Sequence, residues 1–137
     1  MIPEIGVALD ARIGAWADAE GIPLALPNCP FEKPAGVFLE AHDMPATPQT
    51  LDLGLTCRVW PGVYQVNVVV PVGTGRSAGR ALAQRIADLF PEGQSIAGDG
   101  FTCYVSAQPA IYSGVLNPRK TRYSIPVSIP YRADVSS

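Results

Sequence analysis

The sequence predicts a single α+β domain over residues 1–137, with a small mixed or antiparallel sheet, two helices packed on one face, and the order α-β-β-α-β-β. Three observations predict it. Near the C-terminus, Tyr123, Ile125, Val127, Ile129 and Tyr131 alternate without exception with Ser124, Pro126, Ser128 and Pro130, the period of a half-buried strand. Ile5, Leu9, Ile13 and Trp16 recur at helical spacing, and Leu82, Ile86, Leu89 and Phe90 line one side of a second helix. The length of 137 residues, with 47% hydrophobic and 16% charged residues, suits one domain with a substantial core.

The first helix is expected over residues 2–21, with Pro3 at a first helical position and Gly21 and Pro23 ending it. Pro23 to Pro34 carries four prolines in twelve residues and reads as an extended connector. Residues 36–42 read as a short strand, and 43–54, with two prolines, as a loop long enough to be functional. A strand pair or bent strand follows from Leu55 to Val70, with Trp60-Pro61-Gly62 as a kink or turn. Tyr64, Val66, Val68 and Val70 share one of its faces, and Gln65 and Asn67 the other. The second helix spans 76–90 and ends at Pro91-Glu92-Gly93. A strand over about 100–107 and a loop over 111–120 precede the last strand, 122–132. Pro126 and Pro130 lie four apart, so their missing N–H groups fall on one edge, and that edge is expected at a sheet border.

The net charge of −2 conceals an asymmetry. Residues 1–57 hold eight acids and two bases, a balance of −6, whereas residues 58–137 hold four acids and eight bases, a balance of +4. Such halves suit a molecule that meets copies of itself through opposite surfaces. Cys29, Cys57 and Cys103 are odd in number and far apart, which argues against a disulfide framework and a zinc site and for a reducing cytoplasm. No transmembrane run and no signal-peptide pattern is present, so no membrane partner is expected.

The stretch Gly73-Thr74-Gly75-Arg76-Ser77-Ala78-Gly79 follows a strand and opens a helix, as phosphate-binding loops do. It lacks the lysine of a P-loop, and its third glycine falls one residue late for a dinucleotide fingerprint. The glycines then read as a tight corner, with Thr74 or Ser77 as a cap. His42 is the single histidine, which leaves a nucleophile–histidine site little to work with, and it reads as a surface or interface residue. The basic group Arg119, Lys120 and Arg122 is too small for nucleic-acid recognition and reads as a solvated turn or a protein contact. No catalytic, cofactor-binding or metal-ligating residue emerges.

Order and spacing across the chain carry a resemblance. The stretches P-G-V-Y-Q-V-N-V-V-V-P-V-G-T-G at 61–75, A-L-A-Q-R-I-A-D-L-F-P at 81–91 and Y-S-I-P-V-S-I-P-Y-R at 123–132 join the opening helix and G-V-F-L-E-A-H-D-M-P at 36–45. Together they resemble the tail-terminator, or tail-completion, minor tail proteins of long-tailed bacteriophages and prophages, including relatives known only as phage-related domains of unknown function. The resemblance runs from about residue 3 to 133. It implies an α+β domain that forms a ring, typically of six copies, on the tail tube. It implies partners in the major tail protein and a head-completion or neck protein, with DNA passing through without specific binding. It implies no enzymatic chemistry and no cofactor, assembly in the host cytoplasm and residence at the head-proximal end of the tail. On that view Arg119, Lys120 and Arg122 are subunit or tube contacts, and Glu40 and Asp43 are lumen or docking-loop residues. Two alternatives stay open: another neck, connector or tube protein, and a small nucleotide- or metabolite-binding enzyme using the Gly73–Gly79 loop.

Overall fold

The computed structural model describes residues 5–26, 36–45, 49–50, 57–72, 76–98, 101–112, 114–116 and 122–136. In chain order the elements are α1 (Ile5–Glu20), β1 (Leu24–Ala25), β2 (Phe38–Pro45), β3 (Gln49–Thr50), β4 (Cys57–Pro71), α2 (Arg76–Leu89), β5 (Ser95–Gly98), β6 (Phe101–Val105), β7 (Ala110–Ile111), β8 (Val115–Leu116) and β9 (Arg122–Ser136). One sheet runs β1-β2-β4-β9-β6-β5, with β3 on β4 and with β7 and β8 on β9. Its backbone is the antiparallel pair β4 and β9, in register from Cys57 opposite Ser136 to Pro71 opposite Arg122. Among the described pairings only β1 with β2 is parallel.

The period-two pattern decides which side chains go inward. Tyr64, Val66, Val68 and Val70 of β4 lie beside Ile125, Val127, Ile129 and Tyr131 of β9, with Leu39 and Ala41 of β2 and Cys103 and Val105 of β6 on the same side. Ile5, Leu9, Ile13 and Ala17 of α1 and Ala83, Ile86 and Ala87 of α2 join them in one buried cluster, with Phe90 just past α2. Leu9, Ile13 and Ile86 are wholly buried, and each contributes roughly 1.5–3 kcal/mol relative to an exposed side chain. The sheet curls around α1: Gly6 sits against Asp43 of β2, while the same helix lies against β5 on the far edge.

Helix α1 stops where the sequence places its stop. Gly21 has φ 70°, Ile22 N donates to Ala17 O at 2.9 Å, and Gly21 N donates to Asp18 O at 3.2 Å. This is a left-handed C-terminal cap, which glycine adopts without strain from a Cβ. At the other end of the bundle Arg12 Nε donates to Leu89 O at 3.0 Å and its guanidinium stacks on Phe90, so a cation meets the last carbonyls of α2.

Three expectations need correction. The strand expected to end at His42 continues through Pro45, so Asp43 lies within β2 and not in a loop. Trp60-Pro61-Gly62 makes no turn between two strands: of the two alternatives the single strand holds, since β4 runs unbroken through it while the neighbour changes from β2 opposite Gly62 to β3 opposite Val59. The proline edge of β9 is not a border, because β6 and β5 continue the sheet beyond it.

The register shows how that edge is tolerated. Pro130 O accepts from Ser106 N and Pro126 O accepts from Tyr112 N, each at 3.0 Å, so both prolines direct their missing N–H toward β6, β7 and β8. At each proline the neighbouring chain leaves the ladder. β6 ends with Val105 opposite Tyr131, and β7 resumes with Ala110 opposite Ser128 and Ile111 opposite Val127. β8 resumes again with Val115 opposite Ser124. Extra residues bulge out where a donor is missing, and the ladder survives in pieces. Two-residue strands such as β7 and β8 carry no readable period, which is why the sequence shows only a loop there.

Candidate functional site

Each sequence-derived candidate has a definite place. Gly73 and Gly75 lie outside the described residues, and Ser77 is inside α2, one residue after its start. Gly79 is buried in α2 where a Cβ would come within 2.6 Å of Ile125 Cδ1 and 3.7 Å of Val70, so close helix–sheet packing explains it. β4, the strand that leads into the loop, has antiparallel neighbours on both sides, whereas a dinucleotide fold needs parallel βαβ pairing. His42 is exposed and stands opposite Gln65, and strand alternation turns it away from Asp43. Arg119 and Lys120 lie outside the described residues. Arg122 opens β9 opposite Pro71, with its guanidinium 5.0 Å from the centre of the Phe38 ring. Glu40 lies on β2 on the face opposite the helices, half-buried. Among the described residues no group of three or more His, Cys, Asp or Glu side chains is placed to hold a metal ion.

What the fold brings together instead is a polar cluster on the helix side of the sheet. Tyr64 of β4 donates its hydroxyl to Asp10 of α1. Tyr131 of β9 donates to Asp43 of β2 at 2.7 Å. That second bond spans a whole strand, because β4 lies between β9 and β2. Gly62 makes the span possible: it stands opposite both Tyr131 and Pro45, the tyrosine ring lies where its Cβ would be, and Met44 O is 3.0 Å from that point. Gly6 plays the same part on the helix, since a Cβ there would sit 2.8 Å from Asp43 Oδ2.

Burial and these bonds set the electrostatics. The Asp10 carboxyl is raised above its ordinary value chiefly by burial; the Tyr64 bond opposes this and the Asp43 charge adds to it. Tyr64 and Tyr131 are raised by burial and by donating to carboxylates, so both remain neutral donors. Burial, then Asp43, pushes the Cys103 thiol up to about 12, which leaves it an unreactive thiol. The cluster holds no activated nucleophile and no base–nucleophile pair. The sequence contains a partial signal for it. Tyr64 and Tyr131 occupy inward positions of strands, and a buried tyrosine hydroxyl needs a partner. The partners lie 54 and 88 residues away in sequence, and no local spacing names them.

A family model described as phage tail terminator protein matches residues 4–131, which takes in every element from α1 to most of β9. The chain belongs to the phage tail terminator family. This terminator chain is thus a structural protein of the phage tail, of a family whose members build the virion and do not catalyse reactions. A solved structure of 30% sequence identity covers 94% of this terminator chain and 92% of its own, with a TM-score of 0.79. No curated protein matches. None of the described helices is long and apolar enough to cross a membrane.

Proposed function

We propose that the protein ends the phage tail as a closed ring of its own copies, taken as six. The ring sits on the head-proximal end of the tube, stops tube polymerisation and offers the surface that joins the filled head. Its partners are itself, the major tail protein and a head-completion or neck protein, and DNA passes through the bore without specific contacts. The observation that carries this reading is the family match over residues 4–131, which spans nearly the whole chain and not one motif. The opposed charge balance of residues 1–57 and 58–137 supports ring closure, because a head-to-tail contact uses two different surfaces of one chain. Arg119, Lys120 and Arg122 are proposed as subunit or tube contacts. Of the two acids proposed for the lumen, Glu40 lies on the face without helices, while Asp43 is held by Tyr131.

The test adds the protein to polymerising tail tubes and follows tube length, with native mass spectrometry of the protein alone across a concentration series. Wild type is expected to cap, giving short tubes that end in a ring. The Arg119→Glu, Lys120→Glu double variant, which leaves the Arg122–Phe38 contact intact, is expected to fold but not to cap; adding Arg122→Glu deepens the defect. Tubes that grow longer by incorporating the protein would identify a tube subunit. Normal capping by the triple variant would remove these three residues from the interface.

A further inference from the structure

The two Asp–Tyr pairs do more than fill polar space. Asp10 is the group through which α1 reaches Tyr64 of β4, and Asp43 presses on the first turn of the same helix at Gly6. A carboxylate offers about four lone-pair sites, yet among the described residues one side-chain donor serves each: Tyr64 for Asp10 and Tyr131 for Asp43. Among the described residues the titratable groups that face the cluster are Asp10 of α1, Asp43 of β2, Tyr64 of β4, Cys103 of β6 and Tyr131 of β9. β5, which also lies against α1, contributes Ser95–Gly98 and no ionisable side chain. Of the cations on the neighbouring helices, Arg12 is engaged with Leu89 O and Phe90, Arg85 with Glu20 and Trp16, and Arg80 is exposed. Asp10, partly buried and within reach of the Asp43 charge, with a neutral donor and no facing cation among the described residues, is better held with its proton than without it.

The geometry points to a proton-dependent latch: Asp10, tied to Tyr64 and set beside the Asp43–Tyr131 pair, holds the N-terminal half of α1 on the sheet tightly while it keeps its proton and loosely once it is charged. Protonated Asp10 becomes a donor as well as an acceptor, so it supplies the hydrogen the cluster lacks. The direction of the pH effect follows. A carboxyl raised in the folded state binds its proton more tightly there than in the unfolded chain, where its value is 3.8. The stabilisation is fully present below that value and is lost as pH rises through the folded-state value. Each unit of difference appears as about a tenfold fall in the opening-protection ratio. The remainder of the helix, tied near its end by the Glu20–Arg85 ion pair, does not share this dependence.

The experiment is amide hydrogen exchange of the full chain from about pH 4 to pH 8, a range that starts at the ordinary aspartate value, corrected for intrinsic exchange, beside carbon NMR of labelled aspartate carboxyls. Protection at residues 6–12 of wild type is expected to fall with rising pH in step with one carboxyl signal, which the Asp10→Asn variant lacks. That variant, keeping the acceptor for Tyr64 and carrying no charge, is expected to show pH-independent protection, above wild type at neutral pH. Tyr64→Phe removes the donor that favours the charged form, so the carboxyl midpoint is expected to move up. A purely structural role would weaken protection in Tyr64→Phe by the same factor at every pH. The latch is overturned if wild-type protection does not change with pH, if Asp10→Asn keeps the wild-type slope, or if the Asp10 signal titrates at 3.8 or below. A chain whose Asp10→Asn form fails to fold also overturns it, since the neutral amide is meant to stand in for the tight state.

Discussion

The sheet has two faces of opposite character. The helix-side face is closed: Leu39, Ala41, Tyr64, Val66, Val68, Ile125, Val127, Ile129 and Tyr131 are buried there against both helices. The other face presents Glu40, His42, Gln65, Asn67, Ser124, Pro126, Ser128, Pro130 and Arg132, all half-buried or exposed. Gln65 there bonds Asn67 two residues along the same strand, at 2.8 Å. Apolar burial returns on this side only near its ends, at Phe38 with Val69 and at Val59. The strands β4 and β9 serve both faces with the same backbone, so the difference lies wholly in the alternating side chains. The closed face sets stability, and the polar face contributes little to the buried core.

The largest expected effect strikes the closed face. Leu9→Ala removes a fully buried side chain between α1 and the sheet and is expected to lower unfolding free energy by about 2–5 kcal/mol, read from urea denaturation. On the polar face, Gln65→Thr or Ser128→Thr should stay within about 0.5 kcal/mol, since these positions are partly solvated and accept β-branched residues. If the two kinds of substitution proved equal, stability would not be divided between the faces as their burial indicates.

A smaller effect is expected where the polar cluster crosses the closed face. Gly62→Ala would set a methyl against the Tyr131 ring and 3.0 Å from Met44 O, displacing the hydroxyl from Asp43. The expected loss is about 1–3 kcal/mol from overpacking. Tyr131→Phe tests the same bond without overpacking and is expected to lose about 1–2 kcal/mol. If Gly62→Ala proved neutral while Tyr131→Phe did not, the ring would have another route to Asp43. The cluster also marks the limit of what the residues reveal in order. The inward places of Tyr64 and Tyr131 are legible from period two, and so are the stripes Ile5-Leu9-Ile13 and Leu82-Ile86-Leu89. Gly21 as a helix stop is legible because one residue supplies the conformation. The pairing of Asp10 with Tyr64 and of Asp43 with Tyr131 is not legible, because strand order decides it. The role of Gly62 depends on the Tyr131 side chain and the Met44 carbonyl of two neighbouring strands, whereas Trp60-Pro61-Gly62 taken locally reads as a kink or turn.

A smaller loss again sharpens the contrast between the two edges of β9. One edge is an unbroken ladder with β4 from Arg122 to Ser136, and the other is assembled from β6, β7 and β8 with gaps at Pro130 and Pro126. The bland account of the prolines is that they interrupt what would otherwise be one strand. In that case Pro126→Ala, by restoring an N–H opposite Tyr112, would let β7 and β8 merge and raise stability. The register argues otherwise. Two residues separate Tyr112 from Val115 while the facing positions Pro126 and Ser124 are separated by Ile125 alone, so an added donor cannot close the ladder without expelling a residue. Pro126 O already accepts from Tyr112 N, and the half-exposed new N–H can bond water. What remains is the greater freedom of the unfolded chain, so Pro126→Ala is expected to cost about 0.4–1 kcal/mol, read as a shift in denaturation midpoint at constant slope. A gain in stability, with slowed exchange at Tyr112 and Val115, would show that the proline holds the two strands apart. The expected small loss, with exchange there unchanged, would show that the spacing of the chain does so and that the proline only fits a gap already present.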